Sequence, residues 1–220
     1  MFNWLFGKPK FRFYEDSFAR TTESLLEGLR KAISDRADRE ECYLIVAHFP
    51  ERFEQLQGKL HAWSMDYEIL DKPLNPAAIA RRFETSDSRL LLCLSSLLVP
   101  DPTSASLDES RTICLMATER HPSITHDDRL EDFCRSIPTR VEFGYFLSFD
   151  DATVKNLINE STLRILDVFG MGENELITSN MISRRLRTVL TQNLKKFQTD
   201  HKADSAEEWI RINSDEKSQP

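Results

Sequence analysis

Residues 42–47 read CYLIVA, a short and unbroken apolar run that is rich in branched side chains. Runs of this kind are typical of strands that are buried on both faces of a sheet. Three more follow along the chain: RLLLCL at residues 89–94, RTICLMA at 111–117 and VEFGYFLSF at 141–149. Segments with helical spacing separate these runs, so the sequence predicts an α/β fold with a mostly parallel sheet flanked by helices.

The other elements of this α/β part are predicted from the spacing of apolar residues and from prolines. Apolar residues from Phe18 to Ile33 fall close to one helical face, which predicts a first helix over Glu15–Ile33. Pro50 and Pro76 each stand at the start of a predicted helix, a position that favours proline. The pattern further predicts a short strand and a later helix, over Tyr67–Leu70 and His126–Ile137.

The sequence divides into an aromatic and basic arm, an α/β domain, a helical segment and a polar tail, which span residues 1–13, 14–149, 150–199 and 200–220. The helical segment carries two amphipathic stretches, which predict a C-terminal pair of helices. Gly170–Gly172 interrupts the pair, and we interpret it as a helix C-cap rather than a phosphate-binding loop. The tail is expected to be disordered, although Trp209 and Ile210 could dock on the domain.

Length and composition exclude several classes of protein. A chain of 220 residues with 40% hydrophobic side chains can bury a substantial core, so a disordered chain is excluded. It has no apolar run of about 18 residues and no secretory signal pattern, so we expect a soluble, cytoplasmic protein. Four widely spaced cysteines without a CxxC pair predict reduced, mostly buried thiols rather than disulfides or a zinc site: Cys42, Cys93, Cys114 and Cys134.

The formal net charge of −7 is unevenly distributed along the chain. Residues 1–13 contain three bases and no acid, and residues 179–199 contain five bases and no acid. Once the acidic tail is also set aside, residues 14–178 carry a net charge of −12. A body this acidic repels the phosphate backbone of nucleic acids, so we do not expect DNA or RNA as a partner of the whole protein.

The two basic segments are the candidate binding surfaces. In the arm, Trp4, Phe6, Lys8 and Lys10 bring aromatic and basic side chains together. This predicts either peripheral contact with the anionic inner face of a membrane or packing on the domain itself. The helix predicted near residues 179–197 presents an uncompensated basic face, made of Arg184, Arg185, Arg187, Lys195 and Lys196. That face either docks on the acidic body or binds an acidic protein partner, and we expect the second.

Common motifs of nucleotide, hydrolytic and metal chemistry are absent from the sequence. It contains no GxxxxGK[ST], GxSxG, HExxH or GxGxxG pattern, and we expect no catalytic residue, no cofactor and no metal. His121 and His126, beside two aspartates, form either a metal or general-base cluster or the start of a helix capped by Thr125, and we favour the helix start. His48 is a weaker candidate, at the carboxyl end of a predicted strand where ligands often bind.

A more specific pattern is ATERH at residues 117–121, followed by Ser123. It resembles the TERHES segment of the SecA preprotein translocase motor family. The match runs without a gap to FLSF at residues 146–149, where the family reads YLSL, and residues 177–197 are similar to the start of the family's helical scaffold. The resemblance covers about residues 40–198 and implies a RecA-like fold, that of the second motor domain of SecA.

The chain departs from the family's pattern where ATP is hydrolysed. The family's QLRGRSGRQGD segment supplies two arginines that stabilise the transferred phosphoryl group, and they fall on Phe133 and Ser136. The GRG of its other nucleotide motif falls on Leu97–Val99, and only Asp101 of that motif is retained. The phosphate loop of the first motor domain is also absent from these residues, so the resemblance implies a motor fold without ATPase chemistry.

These observations predict a non-enzymatic SecA-like module that acts through protein–protein interaction, in or near preprotein targeting and translocation. Two alternatives stay open. The chain could complete a composite ATPase with a partner that carries the phosphate loop, although the replaced arginines argue against this. It could instead be an RNA-binding relic of a helicase, which the acidic body disfavours.

Overall fold

The computed structural model describes residues 11–35, 41–101, 111–155, 175–197 and 199–214. The strands are β1 (Phe11–Phe13), β2 (Ser17–Ala19), β3 (Glu41–Ala47), β4 (Glu68–Ile69), β5 (Leu90–Leu94), β6 (Thr112–Ala117), β7 (Arg140–Ser148) and β8 (Ile177–Thr178). The helices are α1 (Thr22–Ser34), α2 (Pro50–Ala62), α3 (Pro76–Thr85), α4 (Ile124–Ser136), α5 (Ala152–Lys155), α6 (Asn180–Asn193) and α7 (Ala206–Asn213).

The strands form one sheet in the order β4-β5-β3-β6-β7-β2-β8, with β1 also paired to β7. All pairings are parallel except that of β2 with β8. At the centre of the sheet, Tyr43 of β3 lies opposite Leu90 of β5 and Cys114 of β6. The strand pairing confirms the predicted mostly parallel sheet flanked by helices.

Each face of the sheet is covered by its own hydrophobic core. Leu44 and Val46 of β3 point into the core shared with α3, α4 and α6, while Tyr43 and Ile45 point into the core shared with α1 and α2. Both faces of β3 are therefore apolar, which is why its sequence shows an unbroken hydrophobic run rather than alternation.

The N-terminal part differs from the predicted helix over Glu15–Ile33. Phe18 lies in β2 and its ring stacks on Phe149, with ring centroids 5.8 Å apart. Helix α1 begins only at Thr22, because the Thr21 side chain accepts a hydrogen bond from the backbone N–H of Ser24 and caps the helix there. Phe18 therefore lies in a strand, although its apolar side chain also fits the helical spacing of the residues that follow.

The segment after β7 joins the same sheet. β8 pairs with β2, and Ile182, Leu186 and Leu190 of α6 contribute to the core beside α4. Of the first predicted C-terminal helix, α5 is described, whereas Gly170–Gly172 lies outside the described residues.

The expectation that the tail is disordered is wrong for residues 199–214. Trp209 is buried, and its ring packs edge-on against Phe197 and His121. Ser205 caps α7 by accepting a hydrogen bond from the backbone N–H of Glu208. One large apolar side chain thus orders a polar segment, because burying a tryptophan removes a large apolar area from water.

The four cysteines, all within the described residues, are buried and form no disulfide, as the sequence predicts. Among the helices that the structure describes, none has the length and apolarity needed to cross a membrane.

Candidate functional site at the carboxyl edge of the sheet

Strands β3, β5, β6 and β7 run parallel, so their carboxyl ends meet at one edge of the sheet, here called the carboxyl edge. The segments that follow these strands carry several buried polar side chains, among them His48, Glu119, Arg120, His121 and Asp151. Ligands of open parallel sheets bind outside this edge. The carboxyl edge is therefore the candidate functional site.

Arg120 occupies the centre of the edge and is almost fully buried. Its Nη2 donates to both carboxylate oxygens of Asp16 at 2.9 Å, and its Nη1 donates to Asp127 Oδ2 at 3.1 Å. Its guanidinium carbon lies 3.7 Å from the centroid of the Tyr145 ring. Two aspartates and an aromatic face thus replace the water that this cation loses on burial.

Asp127 connects this cation to its surroundings. Its Oδ1 lies 3.1 Å from His48 Nε2 and accepts a hydrogen bond of 3.0 Å from the backbone N–H of His121. Burial alone would raise the pKa of Asp127, but the contact with His48 and the charge of Arg120 lower it below its usual value. Asp127 is therefore ionised and ties together the segments that follow β3 and β6.

The side chain of Glu119, in the loop after β6, caps the N-terminus of α2. Its Oε1 accepts hydrogen bonds from the backbone N–H groups of His48 and Phe49, at 2.8 and 3.0 Å. Phe49 precedes the helix and has no side chain that could do this, so a distant carboxylate meets the positive end of the helix dipole. Burial raises the pKa of Glu119 to about 6, although the charges of Arg52 and His48 act in the opposite direction.

Arg52 lies beside Glu119 in a small cavity of about 160 Å³ between α2 and α7. Its Nη2 donates to Asp151 Oδ1, while its Nη1 is buried without a hydrogen-bond partner in the described part of the chain. The charge of Arg52 lowers the pKa of Asp151, but burial is stronger and raises it overall.

Four aromatic rings surround His121 at the outer side of the edge, and that of His48 meets it edge-on at 5.5 Å. Phe49 and His126 stack on its two faces, with ring centroids at 5.0 and 3.8 Å, and Trp209 meets it edge-on at 4.8 Å. His126 Nε2 lies 3.0 Å from Asp200 Oδ2, and Trp209 Nε1 donates to Asp200 Oδ1 at 3.1 Å. Burial lowers the pKa values of His121 and His126 below that of free histidine, so both rings are neutral at pH 7.

A larger cavity of about 1030 Å³, here called the edge cavity, opens between the carboxyl edge and the segment 199–214. Its lining includes polar and apolar side chains from both sides: His48, Ser95, Leu98, His126, Asp200 and Trp209. His121, His126 and Asp200 offer donor atoms that all lie within 4.8 Å of one another, so this group could hold a metal ion. The edge therefore combines internally paired charges with neutral imidazoles that border an open space.

Part of the basic face that the sequence predicts contacts the protein's own chain. Arg187 donates to Glu131 Oε1 at 2.9 Å and to Asp128 Oδ1 at 2.8 Å, so it docks on α4 of its own chain. Arg184 and Arg185 are exposed and form no ion pair with the described residues. Lys195 and Lys196 are exposed in the turn after α6, whereas the arm residues lie outside the described part of the chain: Trp4, Phe6, Lys8 and Lys10.

The two positions that the SecA resemblance assigns to phosphoryl-stabilising arginines lie on α4. Phe133 is fully buried in the core, and Ser136 donates its hydroxyl to the backbone carbonyl of Asp132. Helix α4 begins at Ile124, two residues before the predicted start at His126. The residue before the helix is Ser123, and Thr125, the predicted cap, lies within the helix.

Sequence reasoning missed the partners that complete the site. Asp16 and Tyr145 hold Arg120 from positions remote in sequence, and Asp200 meets His126 across 74 residues. No short-range periodicity encodes such pairs. The one available signal was Trp209, an isolated aromatic residue in a polar tail, which indicates docking.

Comparisons with known proteins found similar solved structures at low sequence identity. No family model and no curated protein matches the sequence. A solved structure described as the C-terminal part of the Fun30 ATPase domain is similar at 10% identity and a TM-score of 0.42, over 76% of this chain and 54% of that one. Domain 2 of the DEAD-box helicase Mss116p, bound to an RNA duplex, is similar at 14% identity and a TM-score of 0.38, over 83% and 70%. This chain thus spans about half the length of the first.

Proposed function

We propose that this chain is a non-catalytic, SecA-like pseudo-motor module that acts by binding a protein partner, in or near preprotein targeting and translocation. The observation that carries the proposal is the burial of Phe133 in the hydrophobic core. Phe133 occupies the place of a phosphoryl-stabilising arginine in the resemblance. A charge is required at that place for phosphoryl transfer, and a buried phenyl ring supplies none.

The charged residues of the ATERH segment support the same conclusion. Arg120 is neutralised by two aspartates of its own chain, and Glu119 caps α2. These side chains are turned inward and hold the loops of the carboxyl edge together. They serve as structural supports rather than as groups that meet a nucleotide.

The exposed bases of α6 are the surface that we assign to the partner. Arg184 and Arg185 are exposed and form no ion pair with the described residues, and Met181 on the same helix is 75% exposed. A basic patch with one exposed apolar side chain suits an acidic protein surface, because complementary charge steers association and fixes orientation.

Calorimetric titration with Mg-ATP tests the non-catalytic part of the proposal. We expect no saturable heat at micromolar nucleotide and no phosphate release. Saturable binding in that range, or hydrolysis upon mixing with a partner, would favour the composite ATPase instead.

The partner surface is tested by binding to purified components of the preprotein translocation machinery. The double variant Arg184→Glu with Arg185→Glu should weaken binding at least about tenfold, because it replaces attraction by repulsion. The matched control, Lys72→Glu with Arg81→Glu, also reverses two exposed charges. These two residues lie before and within α3 rather than on α6, so this variant should bind like the unmodified protein. Equal loss in both variants, or no binding of the unmodified protein, contradicts the proposal.

A further inference from the structure

We propose that His121, His126 and Asp200 bind a divalent transition metal of the zinc class, and that this metal fastens the segment 199–214 to the carboxyl edge. The donor atoms of the three side chains already lie within 4.8 Å of one another. Tetrahedral zinc, with bonds of about 2.0–2.1 Å to nitrogen and oxygen, places its ligands roughly 3.3 Å apart. Metal binding therefore requires the His121 and His126 rings, which now stack with centroids 3.8 Å apart, to rotate until one nitrogen of each points to the metal.

The donor set matches the preferences of zinc. Two imidazoles and one carboxylate are a set that zinc binds in proteins, usually with a fourth position left to water or substrate. The fourth position here faces the edge cavity, which His126 and Asp200 both line.

A second layer of contacts orients the ligands. Trp209 Nε1 donates to Asp200 Oδ1, and both carboxylate oxygens lie beside His126 Nε2, Oδ1 at 3.1 Å and Oδ2 at 3.0 Å. Hydrogen bonds of this kind to a ligating carboxylate are common around protein metal sites. The backbone N–H of Ser123 donates to His121 Nδ1, which therefore carries a lone pair, and a metal bond at this nitrogen replaces that hydrogen bond.

The site is accessible from solvent. The Asp200 side chain is 59% exposed and that of His126 is 24% exposed, while His121 forms the buried inner wall. Its ligands come from two separate parts of the chain, the start of α4 and the segment before α7. A bound metal therefore acts as a cross-link between them and stabilises the folded state, because the unfolded chain holds no preformed site. This inference does not depend on the proposed function.

Zinc titration of the full chain, freed of metal by a chelator, tests the site. We expect one Zn²⁺ per chain and a rise in melting temperature that a chelator reverses. Asp200→Asn and His126→Ala should each weaken zinc binding by about tenfold or more. Because Asp200 is mostly exposed, its asparagine variant should keep the fold, which circular dichroism can verify.

Two control variants separate this site from adventitious binding by surface histidines. His61→Ala removes an exposed histidine of α2, and His201→Ala removes the exposed neighbour of Asp200. Both should bind zinc like the unmodified protein. Absence of stoichiometric zinc binding in the unmodified chain, or an equal affinity in Asp200→Asn and the controls, would overturn the proposal.

Discussion

The guanidinium of Arg120 lies against the face of the Tyr145 ring, 3.7 Å from its centroid, and both side chains are buried. The Tyr145 hydroxyl is also buried, yet it has no hydrogen-bond partner among the described residues. The ring therefore supports the cation, while the hydroxyl contributes nothing that the structure displays. This separation of roles gives a stability test in which two substitutions at one position have different outcomes.

Tyr145→Phe should leave the free energy of unfolding unchanged or raise it slightly, because it keeps the ring and removes a buried polar atom without a partner. Tyr145→Leu should lower it by about 2 kcal/mol or more, since it removes the aromatic face and leaves a cavity. Urea denaturation measures both. An equal loss in the two variants would mean that the hydroxyl carries the interaction.

Asp127→Ala should lower the free energy of unfolding by about 3–5 kcal/mol, because it leaves Arg120 and His48 buried without a shared carboxylate. The neighbouring Asp128 is the matched control. It forms an exposed pair with Arg187, and Asp128→Ala should cost less than about 1 kcal/mol. Comparable losses would show that the buried network is not the stabilising element.

Glu119 should make the free energy of unfolding depend on pH between 4.5, the usual pKa of a glutamate, and about 6, its pKa in the folded protein. Its pKa is raised in the folded state, so the folded protein binds more protons than the unfolded chain in this window. The stability contribution of Glu119 is therefore present below about pH 4.5 and is lost as the pH rises to about 6, with an amplitude of roughly 2 kcal/mol. The urea midpoint should change with pH across this range in the unmodified protein and change less in Glu119→Gln. The same pH dependence in both proteins would contradict the assignment.

Arg187→Glu should lower the free energy of unfolding by about 1 kcal/mol, because it sets a third carboxylate against Asp128 and the mostly buried Glu131. Arg184→Glu on the same helix should change it by less than about 0.5 kcal/mol, since Arg184 is exposed and unpaired among the described residues. Thermal melting of the two variants distinguishes them. A larger loss from Arg184→Glu would show that the exposed face also docks on the body.

The central strands could be predicted from the sequence because each is buried on both faces. Strands of this kind need apolar residues at every position, which gives an unbroken apolar run. β2 and β8 could not, since strands of three and two residues are too short to show a period. Phe18 illustrates the consequence, because its apolar side chain suits a helix face and a buried strand equally well.

The candidate site was predicted in part. His48, His121 and His126 were singled out by position, and the structure brings them together at the carboxyl edge. Acidic partners that lie far away in the sequence, such as Asp200 for His126, could not be found in this way. Contacts such as that of Asp16 with Arg120, 104 residues apart, arise from the packing of the sheet and leave no trace in local spacing.

The docking of Trp209 on His121 has a consequence for synthesis on the ribosome. Asp16 precedes Arg120 in the chain, and the inner charges of the edge can pair as soon as β7, which lies between β6 and β2, has been made. The outer wall arrives about 90 residues after His121, which at 5–20 residues per second leaves the histidines uncovered for roughly 5–20 s. During that interval the nascent chain exposes an imidazole-lined opening that the finished protein covers with its own segment 199–214.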